Sequence, residues 1–151
     1  VIGARRRARE IALQLLYQHD ALPGVTPDEL RETLADIEAS APVKAFALEL
    51  AEGVLADLPA IDALVARAAE NWEMHRIAVV DRNILRLATH EMLSQDEIPP
   101  KVSINEAIEL AKRFSTGQSG AFVNGLLDRI LRDLTARGAT VADEPRDEEE
   151  H

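Results

Sequence analysis

The chain has 151 residues, 46% hydrophobic and 29% charged, which fits one globular domain with a sizeable core. It holds no cysteine, so disulfides, thiolate zinc sites and a cysteine nucleophile are excluded. The net charge of −10 speaks against a uniformly basic nucleic-acid binder, yet residues 1–9 carry four arginines and no acid, while residues 143–150 carry six acids against Arg146. A nucleic-acid contact needs a local basic patch rather than a basic protein.

Helical periodicity runs through the chain. A first helix is predicted from about Ala4 to Asp20, with Ala8, Ile11, Ala12, Leu15 and Leu16 in one apolar stripe, ended by Leu22-Pro23-Gly24. Thr26-Pro27-Asp28-Glu29 is a capping-box start for a second helix, which carries Leu30, Leu34 and Ile37. A third is predicted over Pro42 to Leu58 and, beyond Pro59, a fourth over Ala60 to Asn71. The fifth spans Val79 to Ser94, with Val80, Ile84, Leu85, Leu87, Ala88 and Met92 on its apolar side. Ser103-Ile104-Asn105-Glu106 reads as a second capping box, opening a helix to Phe114 after Pro99-Pro100. A last helix from Ala121 to Arg137 carries Phe122, Leu126, Ile130 and Leu134, with Gly138 as its stop. No stretch alternates like a strand. The expectation is an all-α domain of about seven helices over residues 1–138, followed by an acidic, disordered tail over 139–151.

No apolar run reaches the roughly 18 residues of a membrane span, and no apolar stretch with a small-residue cleavage site follows the arginines. A cytoplasmic protein is expected. Catalytic patterns are missing. His90-Glu91 begins like the zinc-protease motif H-E-x-x-H, but Ser94 stands where the second histidine is needed. There is no phosphate-cradling glycine loop, and Glu106 and Glu109 read as solvated or locally paired charges. A non-enzyme without metal or cofactor is expected.

Three blocks carry a resemblance. They are Ala4-Arg5-Arg6-Arg7-Ala8-Arg9-Glu10 with Leu16-Tyr17, then Val80-Asp81-Arg82-Asn83-Ile84-Leu85-Arg86-Leu87-Ala88, then Lys101 to Phe114 running on to Phe122-Val123-Asn124-Gly125-Leu126-Leu127-Asp128. In order and spacing they resemble the NusB family over roughly residues 4–134. The resemblance implies two small helical bundles packed together and a non-catalytic role. Its partners would be NusE, a small-subunit ribosomal protein, and single-stranded boxA RNA in nascent transcripts such as ribosomal RNA leaders. With them the RNA polymerase antitermination complex would read through terminators. Two other readings stand beside it: a stand-alone RNA-positioning domain like the N-terminal domain of RNA cytosine methyltransferases, and a structural helical module, as a homodimer.

Candidate RNA-binding residues are Arg5, Arg6, Arg7, Arg9, Lys101, Gln118, Ser119 and Phe122. Guanidinium groups fork onto phosphates and stack on bases. Residues on a helix point about 100° apart, so the four arginines cannot all face one strand. Phe122 is read either as core or as a stacking platform. The resemblance places it at the RNA with the loop Ser115–Gly120, and favours Lys101 near the phosphates. The family often has an acid at the place of Gln118 and larger polar residues at those of Gly120 and Ala121, so this loop departs from its pattern. Glu106 is expected to cap with Ser103, and Gly125 to serve close helix packing. Tyr17 and Asp81 map by resemblance to the NusE-facing side.

Overall fold

The computed structural model describes residues 2–70 and 74–138. The fourth helix ends at Ala68 rather than running on towards Asn71, because Glu70 takes a positive φ of 57° that no helix continues; the acidic tail lies outside the described residues. Seven α-helices follow one another among the described residues: α1 Ile2–Ala21, α2 Pro27–Ala35, α3 Ala41–Ala56, α4 Leu58–Ala68, α5 Val79–Ser94, α6 Pro100–Phe114 and α7 Ser119–Ala136. A short 3-10 turn, Met74–Arg76, leads into α5.

The helix starts show how local chemistry sets boundaries. Thr26 closes the expected capping box, accepting from the Glu29 amide while the Glu29 carboxylate accepts from the Thr26 amide. Pro59 does not separate two helices by a loop. It occupies the first turn of α4, where its missing N–H costs nothing, and Asp57 ends α3 and begins α4 at once. The same effect starts α6 at Pro100, one turn ahead of the expected Ser103. The Ser103–Glu106 capping box is therefore not formed: both side chains lie inside the helix and pair elsewhere. α7 likewise begins at Ser119 rather than Ala121.

Helices α1–α3 form one bundle and α4–α7 a second, with α5 also packed on α1 and α3. α5 is buried around its whole circumference from Asp81 to Met92. A helix buried on every side is normally apolar, yet this one carries Asp81, Arg82, Arg86, His90 and Glu91. Each reaches out to another element, and two of them share a partner. Arg82 and Arg86 both donate to Asp20 of α1, and Arg86 forks onto Asp62 of α4 at 2.8 and 2.9 Å. Arg82 also donates to the carbonyls of Met74 and Ile77. His90 lies against Gly53 of α3 so closely that a Cβ there would sit 2.3 Å from the ring. Buried charges are costly unless matched in this way. Here they register five helices on one axis.

Candidate nucleic-acid interface

Contacts along the helices fix their directions. Arg9 of α1 meets Glu91 near the end of α5, and Asp20 meets Arg82 near its start. Arg6 meets Glu106, and further along Glu10 meets Arg113. Thus α1 and α6 lie parallel, both antiparallel to α5, and their exposed sides form one edge of the molecule.

The arginine end of that edge is more structural than its sequence suggests. Arg9 is 3% exposed, with its guanidinium forked onto Glu91 at 2.7 and 3.0 Å. Ser103 donates to the same carboxylate at 2.8 Å. Arg9 therefore cannot serve as an RNA contact in this fold; it clamps α1 to α5. Arg6 forks onto Glu106 at 2.9 and 2.8 Å while its side chain stays 43% exposed. The Arg6 hydrogen bonds, aided by the charges of Arg6 and Arg9 and opposed by burial, hold the Glu106 carboxyl below its ordinary range. Arg5 is exposed and lies over the ring of Phe46 in α3, 5.2 Å from its centroid. Arg7 is exposed, 3.5 Å from Glu10. Lys101 is exposed on the first turn of α6. At this end of the edge the cations open to a phosphate, among the described residues, are thus Arg5, Arg7, Lys101 and the outer side of Arg6.

At the opposite end of α6, about 20 Å along the helix axis, the turn into α7 presents Gln118 in the open. Phe122 is half-buried against the core, with one side lining a shallow groove with Gly125 and Arg129. Ser119 is buried and bonded inward, so it is not poised for RNA. Between the two ends lies a groove of about 460 Å³ walled by Arg7, Leu13, Tyr17, Val80, Arg113 and Phe114. Tyr17 is 48% and Phe114 44% exposed, and the Arg113 guanidinium lies 5.3 Å from the Phe114 ring centre. Exposed aromatics beside arginines are a common composition for a protein interface.

The family model described as the NusB family matches residues 6–132. The chain belongs to the NusB family. It is a family of non-catalytic transcription antitermination proteins. A transcription antitermination protein NusB from Desulforapulum autotrophicum is 48% identical, over 85% of this chain and 92% of its own. One from Chloroherpeton thalassium is 40% identical over 91% of this chain, which spans 66% of that longer relative. Among solved structures, a T. maritima NusB is similar with a TM-score of 0.78 at 41% identity, covering 85% of this chain and 91% of that one. The NusB of a complex of antitermination factors NusB and NusE with double-stranded RNA matches with a TM-score of 0.77 at 26% identity, covering 88% and 99%.

Within this NusB fold the two residues assigned to the partner side separate. Tyr17 lies in the aromatic groove, off the apolar stripe of α1. Asp81 is 7% exposed and accepts from Ser119, so it cannot face a partner as a free acid. Arg113 and Phe114 lie in the third resemblance block, but the sequence assigned them no interface role. Phe114 continues the Ala107–Leu110–Ala111 stripe of α6 and reads as core, but it falls at the helix end, where its ring stays open to solvent. Gly125 also departs from expectation. A Cβ there would meet nothing within 4 Å, whereas the glycine in close packing is Gly53. No helix among the described residues is long and apolar enough to cross a membrane, and none of those residues cluster as a metal site.

Proposed function

We propose that this protein acts, with NusE, as a boxA-binding transcription antitermination factor in the cytoplasm. The NusB–NusE pair would bind single-stranded boxA RNA in nascent transcripts such as ribosomal RNA leaders and help RNA polymerase pass terminators. The observation that carries the reading is the match, over 99% of its length, to a NusB seen together with NusE and RNA. The α1–α6 edge supports it physically. Arg5, Arg7, Lys101 and the open side of Arg6 supply attraction for phosphates at one end. Gln118 offers a donor and an acceptor for a base edge, and Phe122 a face for stacking, at the other. The Tyr17–Phe114 groove between them is the NusE surface in this reading. Placing the protein partner beside the RNA track lets each binding event favour the other.

The test is a gel-shift titration of boxA RNA with and without NusE. Tight binding that appears only with NusE is expected. Equal binding to an unrelated single strand, or none in either mixture, would overturn the reading.

A further inference from the structure

Resemblance sends Asp81 to the protein partner and Ser119 to the RNA, yet the two turn inward toward each other. The Ser119 hydroxyl donates to Asp81 Oδ2 at 3.0 Å, and both residues are buried. A serine hydroxyl has one hydrogen, so once it is given to the carboxylate the neighbouring hydroxyls must donate to Ser119. Ser115 stands 2.8 Å and Thr116 3.1 Å from Ser119 Oγ. Two hydroxyls of one short turn thus converge on the Ser119 hydroxyl, which passes its own hydrogen to a carboxylate of another helix. Asp81 Oδ1 is buried and has no donor among the described residues, so Ser119 is the link on which this carboxylate depends.

Within the turn, backbone bonds run from the Ser119 amide to the Thr116 carbonyl at 3.1 Å and from the Ser115 amide to the Ala111 carbonyl at 2.9 Å, but the Asp81–Ser119 bond is the side-chain tie from the turn to another helix among the described residues. Thr116, Gly117 and Gln118 are exposed, and Gln118 makes no side-chain cap on α7. The backbone bond from the Phe122 amide to the Gln118 carbonyl is long, at 3.4 Å. We infer that Asp81 and Ser119 form a latch that holds the 115–119 turn in the shape presenting Gln118 and Phe122 to RNA, making both positioning residues rather than contacts. Resting on the functional reading above, the inference deepens it. A loop held in its binding shape raises affinity because the RNA need not select a minor conformer. Asp81 also follows Val80, a wall of the Tyr17–Phe114 groove, so the latch joins the two halves of the edge.

The test measures boxA RNA affinity at saturating NusE for Ser119→Ala, Asp81→Ala, their double variant and Asp81→Asn. NusE affinity of S119A and hydrogen exchange of amides 116–122 are followed in parallel. S119A and D81A should each weaken RNA binding about tenfold, the scale of a hydrogen bond to a charged group. The double variant should be no worse than D81A. D81N keeps an acceptor of the same shape and should retain more affinity than D81A. NusE affinity of S119A should stay within about twofold of wild type, and its turn amides should exchange faster. Wild-type RNA affinity in S119A, or losses that simply add in the double variant, would overturn the latch. If wild type itself binds no RNA, the functional reading fails; the latch is then judged on exchange, and unchanged protection in S119A overturns it.

Discussion

Arg9 and Glu91 form a buried forked pair between α1 and α5, with Ser103 of α6 donating to the same carboxylate. Removing one partner leaves the other charge uncompensated. Arg9→Ala should lower stability by about 3–5 kcal/mol in urea unfolding, whereas Arg9→Met with Glu91→Leu together should cost far less. A loss of RNA affinity in R9A without loss of stability would return Arg9 to the interface.

Stability should fall in two stages on acidification. Burial pushes His90 below its ordinary 6.5, so it is neutral in the fold; its contribution holds above that value and is lost as pH falls through the folded one. Burial pushes Asp20 up, but hydrogen bonds from Asn83 and Arg82 and the charges of Arg82 and Arg86 outweigh it and leave the carboxyl below its usual 3.8. Glu106 lies below its usual 4.5. Both contribute above those values and lose the contribution as pH falls through their folded ones. Urea midpoints from about pH 7 down to pH 3 read both stages, and Asp20→Asn should flatten the lower one.

Two glycines should respond oppositely to alanine. At Gly53 a Cβ would stand 2.3 Å from His90 Cε1 and 2.4 Å from Nε2, so G53A forces the buried ring to move. It should cost about 1–3 kcal/mol. At the exposed Gly125 a Cβ enters open space, and G125A should add roughly 1 kcal/mol through helix propensity. Thermal melts of the two variants check both signs.

Tyr17→Ala and Phe114→Ala should each weaken NusE binding by about 1–2 kcal/mol, roughly tenfold, with little change in stability. Calorimetric titration measures it. Unchanged affinity in both would move the partner to another face.

The helices were legible because apolar spacing at three and four residues marks each of them, and Thr26 with Glu29 announces its capping box directly. Boundaries at Pro59 and Pro100 were less so. A proline starts a helix as readily as it separates two, and tertiary packing decided. Site residues were legible by type but not by direction. Arg9 shares the composition of Arg5 and Arg7; only the rotation of α1 turns it onto Glu91, which lies 82 residues away. Ser119 and Asp81 found each other for the same reason, across 38 residues. Phe114 lay on an apolar stripe whose last position happens to overhang the bundle.

The edge as an RNA track is tested most directly by a salt series with boxA RNA and NusE, comparing wild type with Arg5→Ala/Arg7→Ala/Lys101→Ala. Each lost phosphate contact on a single strand removes about 0.7 from the slope of log K against log salt. The triple variant should bind more weakly at low salt, with a slope shallower by about 2. The same slope and affinity as wild type would contradict the account.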